Sequence, residues 1–207
     1  MKQLFLAAAL LFSFSLFAQS DKYAGAMEKT ITQFESAKTI EELTAVSAAF
    51  ERIGDAEKTQ WLPYYYAALT QAWIGWMPEI TDKDKQAEKI NALVAKAEAI
   101  EKNAEICAIK NMSATQQMLM DPQSRWMSYG QQASTALQEG MKLDPANPRL
   151  CYLQGMSVFN TPEQFGGGKD KAKPIFEKAI ELFNAEKSKP MYPHWGKKET
   201  EDVLAQC

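Results

Sequence analysis

Strand-like alternation of apolar and polar residues is missing from this chain, and so are the residues from which most catalytic and metal sites are built. It has 1 histidine and 3 cysteines in 207 residues. A lone His194 cannot hold zinc in the usual way without help from Cys107, Cys151 or Cys207. No Ser-His-Asp or Cys-His arrangement has support from spacing, so no nucleophile, base and oxyanion donor come together as an enzyme would need. Positive charge is not in excess. The formal net charge of −3 argues against a nucleic-acid binder, whose footprint would be a basic face. Glycine and proline are sparse before Pro145, and no low-complexity linker divides the chain, which argues for one globular unit.

The long apolar run that does occur lies at the start. Lys2 provides a positive n-region, Leu4 to Phe17 an apolar stretch, and Leu16-Phe17-Ala18 a cleavage site, which together read as a secretory signal peptide over 1–18. That run is shorter than the roughly 20 residues of a membrane-spanning helix, and the polar Gln19-Ser20-Asp21-Lys22 follows it without a basic stop-transfer cluster. We expect residues 19–207 to form a single helical domain, secreted and periplasmic, with no transmembrane segment once the signal is removed. Cysteines in an oxidising compartment can pair, and three of them allow three pairings.

Apolar periodicity and breakers place helices at about 21–36, 40–54, 59–77, 83–101, 104–119, 123–142, 147–159 and 168–185, with a short one near 197–206. Thr39 followed by Glu41 and Glu42, and Thr81-Asp82, are helix starts, with an oxygen-bearing cap and acids in the first turn. Asp121-Pro122 and Asp144-Pro145 each end a helix and begin a turn.

Those helices repeat one another. Ala172, Phe176 and Ala179 put one large residue between two small ones on a helix face, and Ala133, Leu137 and Gly140 do the same. Small residues let a second helix approach while the large one fills the gap. Ile90, Val94 and Ala97 form an earlier copy, and Ile106-Cys107-Ala108-Ile109 aligns with Leu150-Cys151-Tyr152-Leu153 in the partner helices. The units recur roughly 40 residues apart, longer than the 34 of an ordinary tetratricopeptide repeat. The expected fold is all-α: a helical hairpin array, a divergent tetratricopeptide-repeat-like right-handed superhelix.

With the segments WLPYYYAA (61–68), DPQSRW (121–126), NPR (147–149), TPEQFGGG (161–168) and PHWG (193–196), the chain resembles a group of secreted bacterial tetratricopeptide-repeat-like proteins of undefined biochemical role. The FGGG insertion before a repeat helix also resembles, more distantly, helical-repeat partners of substrate-binding transport systems. Such a resemblance implies a scaffold or carrier.

Several residues are candidates for a site. Tyr64, Tyr65 and Tyr66 point in three directions about 100° apart on a helix, so they are not expected all to enter one core, and one or two of them should face a groove or a neighbouring helix with the hydroxyl wet. Met112, Met118, Met120, Met127, Met141 and Met156 form no compact ladder and read as core filler. The Gly166-Gly167-Gly168 turn lacks the spacing of a phosphate-binding loop and reads as a bend. Pro193-His194-Trp195-Gly196 reads as a capping loop that tucks its tryptophan against the last repeat. Arg125 and Arg149 follow Asp121-Pro122 and Asp144-Pro145, and are suited to planar, two-pronged contacts with carboxylates: salt bridges to the neighbouring aspartates, or a carboxylate-binding rim. The expected partner surface is Tyr64, Tyr66, Asn111, Thr115 and Arg125. On this reading the protein is a non-enzymatic envelope scaffold for protein–protein interaction, needing no cofactor or metal, whose partner is a protein segment or small ligand. The alternative is an accessory small-ligand carrier for an envelope transport system, with an apolar cavity lined by tryptophan and methionine. A deep pocket favours the carrier, and an open polar groove favours the scaffold.

Overall fold

The computed structural model describes residues 21–207, and the expected signal peptide lies outside them. Local chemistry sets most of the helix ends. The first helix, α1, covers 21–36. Thr39 caps α2 (Ile40–Glu57) in a reciprocal box: its hydroxyl accepts from the Glu42 amide at 3.1 Å and the Glu42 carboxylate accepts from the Thr39 amide at 3.1 Å. Pro63 lies in the first turn of α3 (Leu62–Trp76), where a missing N–H costs nothing. Asp82, Asn103 and Asn147 cap α4 (Lys83–Ile100), α5 (Ala104–Leu119) and α8 (Pro148–Asn160), each side chain accepting one of the free amides of the first turn.

The remaining elements are a four-residue α6 (Pro122–Arg125), a π-helical turn (Trp126–Gly130), α7 (Gln131–Leu143), α9 (Lys169–Ala185) and α10 (Lys197–Leu204). Among the described residues there is no strand. The expected single helix over 123–142 is therefore interrupted. A π turn holds one residue more than an α turn, and an added Cβ at Gly130 would stand 3.1 Å from the Met118 sulfur; a 3.6-residue period carries no signal of such an insertion.

Consecutive helices pack on one another, α2 on α3, α3 on α4, α4 on α5, α5 on α7, α8 on α9 and α9 on α10, so the described residues form an array of helical hairpins. The small–large–small faces lie at the contacts, as their spacing requires. Ala172, Phe176 and Ala179 are fully buried. A methyl group at Gly140 would stand 2.7 Å from Leu150 and 2.9 Å from Cys107, and one at Gly155 would stand 2.4 Å from the Phe176 ring. Both glycines let backbones approach where any larger side chain would collide.

The main core surrounds α3, which is covered by α2, α4 and α5. Its centre is Met27, Phe50, Tyr65, Tyr66, Leu69, Ile90, Ile106 and Ile109. This corrects one expectation: Tyr64, Tyr65 and Tyr66 are all buried, at 6%, 1% and 2% exposure. Neighbours on several sides of α3 enclose the rings in each direction of the tyrosine fan, and the Tyr64 and Tyr65 hydroxyls reach carboxylates of Asp55 and Glu105.

Candidate functional site

The five residues expected to form a partner surface do not share one. The Tyr64 hydroxyl donates to Asp55 at 2.8 Å, and its ring lies 5.3 Å from the Lys96 ammonium. Tyr66 stacks on Phe50 with ring centres 5.0 Å apart and meets Phe34 edge-on; its hydroxyl has no partner among the described residues. Asn111 is buried and ties α5 to α7 by donating to the Ala133 carbonyl at 2.9 Å. Thr115 is half-buried on α5. Arg125 grips Asp84 with two nitrogens, at 2.8 and 2.9 Å, fastening α6 to the start of α4. A shallow groove of about 430 Å³ does run near these helices, between α4, α5 and α7, but it is lined by other residues, among them Asn91, Gln117, Gln131 and Thr135.

A larger cleft, about 550 Å³, opens where the N-termini of α5 and α8 meet the loop after α9. Asn147 and Arg149, at the start of α8, both donate to Glu105 in the first turn of α5 and hold those two helix starts side by side. Trp61 and Tyr192 make one wall, edge to face with ring centres 5.9 Å apart. Ala104, Leu143, Pro148 and Leu182 add apolar surface, while Lys102, Lys187 and Lys189 bring positive charge to the rim. Lys102 and Lys187 form no ion pair among the described residues, and the Lys189 ammonium lies 4.8 Å from the Tyr192 ring centre. The cleft thus combines an aromatic and aliphatic wall with a charged rim, on which Glu101 and Asp144 stand beside the lysines; apolar surface with a few charged groups is a common make-up for a small-molecule site.

Its floor is a buried polar cluster. Glu105 accepts from the Tyr65 hydroxyl at 3.1 Å, from the Asn147 amide at 2.6 Å and from Arg149 Nε at 2.8 Å. The other two guanidinium nitrogens of Arg149 donate to Glu186, Nη1 at 3.2 Å and Nη2 more closely. Burial alone would pull the Arg149 proton affinity down, but the facing charges of Glu105 and Glu186 outweigh it and hold the guanidinium firmly charged. Tyr65, wholly enclosed and beside Glu105, has its hydroxyl pushed well above the ordinary phenol range. Neither arginine pairs with the aspartate just before it, the simpler of the two expectations. Arg149 does hold carboxylates, and both belong to the protein.

The PHWG loop closes the cluster. Trp195 Nε1 donates to the Tyr65 hydroxyl at 2.8 Å and its ring meets Tyr152 edge-on, while the His194 ring nitrogen lies 2.8 Å from Glu35. The loop caps the array as expected, but it reaches back to α3 and α1 as well as to the last hairpin. Cys107, Cys151 and Cys207 are unpaired thiols, the first two raised by burial. No group of three or more potential ligands for a metal ion occurs among the described residues, and no helix of the described residues is long and apolar enough to cross a membrane.

Sequence reasoning missed Glu105, Glu186, Lys187, Lys189 and Tyr192. Glu105 could have been noticed as an acid inside the apolar run Ala104 to Ile109; the others sit in a loop without periodicity.

No family model matches the chain, and no curated protein matches it. Among solved structures it is similar to the HusA haemophore from Porphyromonas gingivalis, with 33% sequence identity and a TM-score of 0.81 over 89% of this chain and 92% of that one.

Proposed function

This chain belongs to the family of the HusA haemophore, and from that premise we propose that it carries haem or a closely related tetrapyrrole outside the cytoplasm. A flat apolar macrocycle with two carboxylates needs a slot with aromatic walls and cations at the mouth. The observation that carries the reading is the 550 Å³ cleft with Trp61 and Tyr192 on its wall and Lys102, Lys187 and Lys189 at its rim. The likeness to a haemophore favours the carrier over the protein scaffold that the sequence put first, and it supports binding without catalysis. Export by the signal peptide over 1–18 would deliver the protein to where extracellular or periplasmic haem is found.

Absorbance titration of the mature protein with haem is expected to show a saturable shift of the Soret band. Tyr192→Ala combined with Lys187→Glu and Lys189→Glu should weaken binding by about tenfold, since two surface charge contacts of up to about 1 kcal/mol each and one aromatic contact are lost together. Binding that is unchanged in this variant would remove the cleft from consideration, and no saturable binding by the parent protein would sink the carrier reading.

A further inference from the structure

We propose that Arg149 is the carboxylate receptor of this cleft, and that Glu186 occupies it as an internal stand-in until a ligand carboxylate takes its place. The inference rests on the tetrapyrrole reading and names the group by which the ligand is held.

Three observations support it. The Arg149 side chain is 3% exposed, yet it lines the cleft, and two of its three nitrogens bond to Glu186, whose side chain is 31% exposed. One guanidinium faces two carboxylates, Glu105 and Glu186. The pairing with Glu105 already balances the buried charge, so Glu186 is a surplus anion. The two carboxylates also differ in tenure. Glu105 is enclosed and satisfied by three donor residues, Tyr65, Asn147 and Arg149. Glu186 is 31% exposed, follows the last turn of α9 and has Arg149 as its partner.

Exchange of one carboxylate for another keeps the guanidinium paired throughout, which avoids the cost of a buried, uncompensated charge. The planar fork of arginine accepts either carboxylate in the same two-pronged way. Displaced, Glu186 would swing outward beside Lys187 and Lys189, and the 186–192 loop would move with it. The ligand's second carboxylate is then within the field of the rim lysines.

The test compares protoporphyrin IX with its dimethyl ester, which has the same ring and no carboxylate. Titrated into detergent-matched solutions, Glu186→Gln should bind the diacid at least about fivefold tighter than the parent protein does, with the diester unchanged. In the parent protein, hydrogen exchange at the amides of 187–192 should speed up on binding the diacid and not on binding the diester, a readout that needs no variant. Equal effects of Glu186→Gln on acid and ester, weaker or unchanged diacid binding, or unaltered loop exchange would overturn the receptor assignment while leaving the carrier reading in place. Failure of both porphyrins to bind the parent protein would overturn the two together.

Discussion

At the scale of single residues, the fold depends on a few fully enclosed rings. Phe176 is fully buried, packs against Phe159 and Tyr152 and fills the space that Gly155 leaves open. Phe176→Ala is expected to cost about 3–5 kcal/mol, because removing a fully enclosed ring leaves a cavity in the core; a denaturant midpoint unchanged from the parent would refute that. The tyrosines make a second residue-scale prediction. Burial, with Glu57 as the next cause, pushes Tyr23 from 10.0 up to about 12, and burial with Glu199 nearby does the same to Tyr152. Between those values the folded protein keeps a proton that the unfolded chain has released. Stability from these groups is therefore fully present below pH 10 and drains away as pH rises toward 12. Phenolate absorbance of the two residues, read by difference against Tyr23→Phe and Tyr152→Phe, should appear only near the upper value, and absorbance completed by pH 10 would contradict the burial assigned to them.

Helices and their contacts were the most legible scale. Caps such as Thr39, Asp82 and Asn103 are local signals, and the small–large–small spacing at Ala133, Leu137 and Gly140 marked a close contact that the structure contains. Gly140→Ala is expected to cost about 1–3 kcal/mol, since its methyl would press on Leu150 and Cys107 at a site with no slack; a variant as stable as the parent would show that α7 and α8 can separate without penalty. What the sequence did not reveal has a physical pattern. An amphipathic reading puts Tyr64 and Tyr66 at a surface because it presumes one wet side, and α3 has almost none: even Thr70 and Gln71 are buried. Glu105 finds Arg149 at a separation of 44 residues, beyond the reach of any spacing rule. The π turn at Trp126–Gly130 departs from the α period altogether. The cleft was illegible for the same reason, since Lys187 and Lys189 of its rim stand on an irregular loop and Lys102 comes to it from the distant α4–α5 connection.

Across the whole molecule, the contacts that decide behaviour are those between distant parts. In an open repeat array each unit touches only its neighbours, so ends can fray while the middle stays folded. Here Trp195 bonds to Tyr65, 130 residues earlier in the chain, and His194 meets Glu35 on α1. Trp195→Ala should therefore do more than lower stability by about 2–3 kcal/mol. It should split a single unfolding transition into two, seen as a divergence between far-ultraviolet circular dichroism and tyrosine fluorescence during denaturant titration. One coincident transition in the variant would show that the loop is ornamental to cooperativity. The same closure has a bearing on descent. Open arrays lengthen readily, because a duplicated hairpin needs only a matching neighbour on each side. In this chain an inserted hairpin between α3 and α10 would carry residue 195 away from residue 65 and leave its indole without a seat. The loop works as a gauge of length, and lineages that keep it are expected to vary in their side chains and not in their number of hairpins.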